Sequence, residues 1–449
     1  MNRVFAAARG LWQRRLRRSL LSLRHDPEAT LERRVGKAQV RQELLADAEV
    51  AAAVAEHARS TGEDEAAAWR RVHEYVEEIV PDFNLISYYR LGYAVARLLI
   101  PLFYKVSVGY EAREALDAIP RGSAVLYLMN HRSNADYVVV AYVLSGRVAV
   151  SYAVGEWARV WPLEAVFKSF GSYFVRRRYR EALYHKVLER YVQLITRHGV
   201  TQGIFLEGGL TRDGAFREPK VGLLDYLLGV KRDPAFTRPL QVIPVAINYD
   251  RVLEDRSLLR ESQPEAERLS RREQAKEVLS YAAKVSVRFL LRRARRYGRA
   301  CVNFGTPLDV DAWLHAHPGV LDLPREERLL QLRELADDVM ARIGAIMPVT
   351  AVALASTALL RHDGDVIPRA RWESRMDEVR EALREAKAPV IGDERSSAAI
   401  LDRALVMLTL RRVVEPAGDG YRLDRGQEPL LRYYAGSIAH FLAGRGPRA

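Results

Sequence analysis

The sequence predicts an α/β fold: a three-layer sandwich with a mixed, largely parallel central sheet, preceded by a helical N-terminal region and followed by a mainly helical, winged-helix-like C-terminal region. Two observations predict it. From about Val106 to Pro307, short β-branched or aromatic runs alternate with amphipathic stretches, the pattern of strands joined by helical crossovers. On either side of that stretch, apolar residues recur at three- and four-residue spacing, the helical period. The chain of 449 residues is long enough for two or three domains of roughly 100–200 residues each. It divides into 1–105 (helical), 106–307 (the α/β core) and 308–449 (mainly helical).

In order, Asp47 to Arg59 and Glu63 to Val80 read as helices, the second ended by Pro81. Leu85 to Val108 is apolar but carries Arg90, Arg97 and Lys105, so it reads as an amphipathic or hairpin segment and not as a membrane span. The candidate strands are Ala124 to Leu128, Val148 to Ala153, Ser172 to Val175, Gly203 to Leu206, Val242 to Tyr249 and Ala300 to Phe304. Glu181 to His198 and Glu273 to Arg293 are helical between them. Helices return at Arg325 to Ile343 and Arg371 to Lys387. Ile343 to Leu360 is uncharged throughout, but Pro348, Thr350, Ser356, Thr357 and many alanines make it a buried helix and not a span. Ser397 to Leu410, a strand pair around Val413 and Tyr421, and Glu428 to Leu442 give helix, hairpin, helix, an order that resembles a winged-helix unit.

The formal charge of +13 calls for an anionic partner: nucleic acid, phospholipid headgroups or a phosphorylated substrate. Arg3, Arg9, Arg14, Arg15, Arg17, Arg18 and Arg24 precede the first acid, Asp26, and are interleaved with Val4, Phe5, Leu11, Trp12, Leu16, Leu20 and Leu23. A helix of this kind would lie in an anionic membrane surface; a solvated basic helix and an Arg-rich, acid-poor transit peptide are the competing readings. The arginines interrupt every stretch that would serve as a secretory core, so a peripheral or monotopic protein on the cytoplasmic face of the cell membrane is expected. The single cysteine, Cys301, excludes a disulfide framework and a cysteine-based metal site. His73-Glu74-Tyr75-Val76-Glu77 lacks the second histidine of a zinc helix, so no metal is expected.

Four blocks carry chemistry. His131-Arg132-Ser133-Asn134-Ala135-Asp136 lies between two apolar runs; with His131 ending a strand and Asp136 opening a helix, the turn folds the carboxylate back onto the imidazole, as a general base requires. Ser133 and Asp136 also make a capping box, which starts a helix for structural reasons alone. Gly171-Ser172-Tyr173-Phe174-Val175-Arg176-Arg177 places paired guanidinium groups, suited to phosphate, at a strand end. Phe205-Leu206-Glu207-Gly208-Gly209-Leu210-Thr211-Arg212-Asp213-Gly214, with Pro219-Lys220 behind it, offers a carboxylate, cations and a glycine turn whose N–H groups can face an anion. Val242 to Asp250 is an apolar strand whose Pro244 removes a ladder donor, which suits a sheet edge or a pocket wall. No Gly-x-Ser-x-Gly elbow is present, so no protein nucleophile is evident.

Together and in this order the four blocks resemble those of the glycerolipid acyltransferase superfamily, specifically the bacterial glycerol-3-phosphate acyltransferases and their dihydroxyacetone-phosphate relatives. Val302-Asn303-Phe304-Gly305 and Leu431-Arg432-Tyr433-Tyr434 also look like family segments, and the chain is a compact version. The resemblance implies acyl transfer from acyl-coenzyme A or acyl carrier protein, as co-substrate and without another cofactor, to the first hydroxyl of glycerol 3-phosphate. It implies His131 as general base and Asp136 as its orienting partner. Arg177, Arg212 and Lys220 would hold the substrate phosphate, Glu207 and Gly208 would shape the acceptor pocket, and Pro244 would line the acyl-donor side. Leu210 stands where family members generally have an arginine, which leaves dihydroxyacetone phosphate, a lysophospholipid or another alcohol open as acceptor. Two other classes compete: a nucleic-acid-binding protein, against which the arginines are not gathered on one recognition helix, and a catalytically dead lipid-binding scaffold, against which both His131 and Asp136 are present.

Overall fold

A computed structural model describes residues 37–80, 96–98, 100–144, 150–155, 172–176, 179, 181–261 and 297–443. The Arg-rich N-terminal segment, the expected helix Glu273 to Arg293, half of Leu85 to Val108, and Arg177 lie outside the described residues.

The N-terminal region forms helices α1 (Lys37–Leu45), α2 (Ala48–Thr61) and α3 (Glu65–Ile79). Asp47 caps α2 by accepting from the backbone N–H groups of Glu49 and Val50, and Gly62 ends it at φ 72°. The core follows as β1 (Lys105–Tyr110), α4 (Arg113–Asp117), β2 (Ala124–Met129), α5 (Asp136–Leu144), β3 (Val150–Gly155), β4 (Tyr173–Val175), α6 (Ala182–Arg197), β5 (Thr201–Phe205), α7 (Gly222–Leu228), β6 (Leu240–Tyr249), α8 (Asp255–Glu261), β7 (Arg299–Phe304) and β8 (Leu308–Asp309). The sheet order is β1-β7-β6-β2-β5-β3-β4, with β8 also on β6. Every pairing is parallel except β6 with β7 and β6 with β8. All residues of β3 and β6 are buried, as strands covered on both faces require, so the sheet is the middle layer of three.

On α6 the apolar stripe Leu183, Val187, Leu188, Tyr191 and Ile195 is buried, and the helix packs on α1, α2 and α3. Arg176, just after β4, reaches back to α3, where its guanidinium forks onto Glu78 and lies over the Tyr179 ring at 4.9 Å. Three strands went unread in the sequence, β1, β8 and a short one at Val366–Pro368; β1 begins in what reads as an amphipathic segment, and is parallel to β7 at one end of the strand order.

The chain continues through α9 (Val310–Ala316), α10 (Arg325–Ala345), α11 (Ala351–Leu359), β9 (Val366–Pro368), α12 (Arg369–Glu385), α13 (Ser397–Leu410), β10 (Val414–Ala417), β11 (Gly420–Leu423), α14 (Glu428–Gly436) and α15 (Ala439–Leu442). The expected single helix Ile343 to Leu360 is broken: α10 stops before Pro348, which cannot continue the backbone ladder, and α11 starts afresh from Thr350, whose side chain accepts from Ala353 N–H. Every residue of α11 is buried. From α11 the order helix, strand, helix, helix, hairpin, with sheet order β10-β11-β9, is that of a winged helix. Trp372 on α12 is fully buried and donates its indole N–H to Ala355 of α11 at 3.0 Å. No helix among the described residues is long and apolar enough to cross a membrane.

Candidate active site

Because β2, β5 and β6 run parallel, the turns that leave their C-terminal ends meet at one edge of the sheet, where open α/β sheets bind ligands. His131 follows β2, Glu207 follows β5, and Tyr249 ends β6. Asn130 pins the first of these turns: its amide donates to Ile247 O at 3.0 Å and accepts from Ile247 N–H at 2.7 Å.

The turn then folds as the sequence suggested. His131 Nδ1 lies 2.9 Å from Asp136 Oδ2, with the imidazole 2% exposed and the carboxylate buried completely. A carboxylate only accepts, so Nδ1 carries the proton and Nε2 is the basic nitrogen. Asp136 also accepts from the backbone N–H groups of Arg132 (2.7 Å) and Ser133 (3.0 Å) and from the Tyr249 hydroxyl (2.5 Å). Four donors satisfy the acceptor capacity of the buried carboxylate. The His131 ring stacks on Phe205 at 4.1 Å and meets the edge of Tyr137 at 5.5 Å, which fixes its plane. Burial, then the Asp136 charge, pushes the Tyr249 hydroxyl well above its ordinary value, so it stays a donor.

Glu207 is 2% exposed and binds backbone on both sides: it accepts from His131 N–H at 2.9 Å and from Arg217 N–H at 3.1 Å. Burial pushes it up to about 7, against the pull of those two donors and of the Arg132 and Arg217 cations. Gly208 adopts φ +63°, and a Cβ there would crowd Lys220. Arg212 and Lys220 are exposed on this loop, and Leu210 is half-buried against the core. Pro244 lies inside β6, level with Leu128. This corrects the edge reading: β6 is central, and the missing N–H falls where β6 passes from pairing with β8 (Gln241, Val242) to pairing with β7 (from Val245), while Pro244 O accepts from Gly305 N–H at 2.8 Å.

The structure thus gathers His131, Asp136, Glu207 and Gly208, sets Arg212 and Lys220 on the same loop, and holds Pro244 deeper in the sheet. Sequence reasoning missed two supports. Tyr249 was read only as part of the apolar strand Val242 to Asp250. Glu254 accepts from Ser133 Oγ at 2.7 Å and Asn134 N–H at 3.2 Å, and burial, aided by the Asp136 charge, pushes it up to about 7. The C-terminal unit closes the site from behind. Tyr433 of α14 lies over the Arg132 guanidinium at 5.1 Å, and Tyr434 donates to Asp255 at 2.6 Å, which also pairs with Arg411. No group of three metal-ligating side chains exists among the described residues.

Residues 113–248, which carry the buried histidine–aspartate pair and the glycine turn, match the family model described as Acyltransferase. Residues 271–446 match a second, Glycerol-3-phosphate acyltransferase C-terminal region. Over these two stretches the chain is similar to acyltransferases and to the C-terminal region of glycerol-3-phosphate acyltransferases. Proteins named glycerol-3-phosphate acyltransferase from Aeromonas hydrophila subsp. hydrophila (28% identical over 414 residues, 90% of this chain and 49% of that one) and Actinobacillus succinogenes (28% over 415, 89% and 49%) align along it. One from Pseudoalteromonas atlantica is 29% identical over 429 residues, 90% of this chain and 50% of that one. The chain therefore spans about half the length of the curated relatives it matches. A solved structure of the 1-acyl-sn-glycerophosphate (LPA) acyltransferase PlsC from Thermotoga maritima aligns over 57% of this chain and 76% of its own, at 17% identity and a TM-score of 0.32, too low to equate the folds.

Proposed function

We propose that the protein transfers a fatty acyl group from an acyl thioester, of coenzyme A or acyl carrier protein, to the first hydroxyl of glycerol 3-phosphate, giving lysophosphatidate. The buried His131–Asp136 pair, with its carboxylate held by four donors, carries this reading. The substrate hydroxyl oxygen attacks the thioester carbonyl as His131 Nε2 takes its proton. Collapse of the tetrahedral intermediate breaks the carbon–sulfur bond, and the leaving thiolate recovers the proton from the imidazolium. Asp136 holds the tautomer and stabilises the cation. Arg212, Lys220 and Arg177 supply positive charge for the acceptor phosphate, Glu207 and Gly208 shape the turn beside it, and Pro244 belongs to the acyl-donor side. The names of the relatives and the order of the four blocks support this acceptor; Leu210 is the residue that speaks for another alcohol. We place the protein peripherally on the cytoplasmic face of the membrane, supported by the Arg- and Leu-interleaved N-terminal sequence.

The test is transfer from palmitoyl-coenzyme A or palmitoyl-acyl carrier protein to radiolabelled glycerol 3-phosphate in detergent–lipid micelles, for wild type, His131→Ala and Asp136→Asn. Turnover that vanishes in His131→Ala and falls at least ~1000-fold in Asp136→Asn, with folds intact by circular dichroism, is expected. Wild type that is inactive with both donors, yet esterifies dihydroxyacetone phosphate or a lysophospholipid, overturns the acceptor. Full activity of His131→Ala overturns the base.

A further inference from the structure

Arg132 follows the catalytic histidine directly, and its side chain is 2% exposed. Its Nη1–H donates to Gly214 O, on the loop that begins at Glu207, and its flat face lies against Tyr433 at 5.1 Å. The remaining N–H groups, on Nε and Nη2, are buried and have no hydrogen-bond partner among the described residues. These two form one edge of the guanidinium, two parallel donors spaced to meet two oxygens of one phosphate or carboxylate.

No described carboxylate takes that edge. Asp136 is filled by its four donors, both Glu207 oxygens are held by backbone N–H groups, and Glu254 is bound by Ser133 and Asn134. A buried cation with an open fork carries a large desolvation cost unless an anion meets it. Arg132 belongs to the dyad turn itself and its Nη1–H ties that turn to the loop that begins at Glu207, so the unpartnered edge lies within the same group of turns as His131.

We infer that Arg132 is a phosphate-binding residue, its Nε–H and Nη2–H gripping two oxygens of the acceptor's phosphomonoester. The inference deepens the proposed function and rests on its reading of a phosphorylated acceptor. It assigns to a buried, preorganised guanidinium the specificity that the exposed Arg212 and Lys220 provide only loosely.

The experiment titrates the full chain in detergent–lipid micelles with inorganic phosphate by calorimetry, and compares acyl transfer to glycerol 3-phosphate and to glycerol, for wild type, Arg132→Gln and Arg132→Lys. Arg132→Gln is expected to weaken phosphate binding and raise KM for glycerol 3-phosphate by about 10- to 100-fold, a clearly larger loss than in its transfer to glycerol. Arg132→Lys keeps the charge but not the fork and falls between. Wild-type phosphate affinity in either folded variant overturns the inference, as does equal loss of transfer to both acceptors, which would make Arg132 a prop for the dyad. Wild type that binds no phosphate overturns it too. If Arg132→Gln fails to fold, Arg132→Lys alone decides. Phosphate binding through Arg132 in a protein that transfers no acyl group would sink the proposed function and leave the anion site standing.

Discussion

Tyr249→Phe isolates one hydrogen bond of the candidate site. Phenylalanine fills the same fully buried space beside Tyr104, whose ring lies 5.3 Å away, so no cavity forms. What goes is the 2.5 Å donation to Asp136 Oδ1, leaving that oxygen buried with no donor from β6. A hydrogen bond to a charged group contributes about 1.5–3 kcal/mol, so the variant should lose roughly that much unfolding free energy. The effect on catalysis has a definite sign. With one donor fewer, the Asp136 charge is less dispersed and attracts a protonated His131 more strongly. The imidazole then holds its proton to higher pH, and the acid limb of kcat/KM moves upward while the plateau falls by less than about tenfold. Urea unfolding gives the first quantity and acyl transfer from pH 5 to 9 the second. A variant with wild-type stability and a superimposable pH profile would refute the reasoning. A stability loss with no movement of the acid limb would reduce Tyr249 to a packing residue.

Three other outcomes follow from the geometry. Glu207 has a folded value of about 7 against an ordinary 4.5; its protonated form is favoured in the fold, so its contribution is complete below about pH 4.5 and is lost as pH rises to 7, by at most about 3 kcal/mol. Glu207→Gln should lack that slope, and parallel stability curves from pH 4 to 8 would dismiss the burial argument. Gly214→Ala should destabilise by at least about 2 kcal/mol, because φ is +83° and the added methyl would strike the Tyr433 carbonyl; an unchanged thermal midpoint would contradict the close packing. Arg176→Ala should loosen α3 from the sheet at a cost of about 1–3 kcal/mol, since it leaves Glu78, 7% exposed, without its fork. A double-mutant cycle with Glu78→Gln that shows no coupling would exclude that pair as the tether.

What was legible in the sequence was local. The His131–Asp136 pair, the Asp47 cap and the α6 stripe are each set by residues within a few positions of one another, and the apolar strands announce themselves by composition. What was hidden depends on contacts across long separations. The hydroxyl that supports Asp136 comes from 113 residues away, and the Tyr433 ring over Arg132 from the far side of the winged-helix unit. β1 escaped notice because its alternating Val106, Val108 and Tyr110 follow directly on a longer apolar stretch and were read as its tail; the pairing with β7 sets them apart as a strand. Pro244 misled for the opposite reason: its chemistry is that of an edge, but the edge is the gap between two partner strands on a central one. The break at Pro348 was visible as a residue, though its weight against a long apolar run was underestimated.

The contact between Gly214 and Tyr433, with Gly436 seated on Asp213, sets an order of events in synthesis. The turn that holds Arg132 is backed by residues made some three hundred positions later, so an emerging chain has His131 and Asp136 long before it has the wall behind them. Until α14 has left the ribosome and docked, the Arg132 turn stays without its backing, and completion of the C-terminal unit is the last step in building that wall.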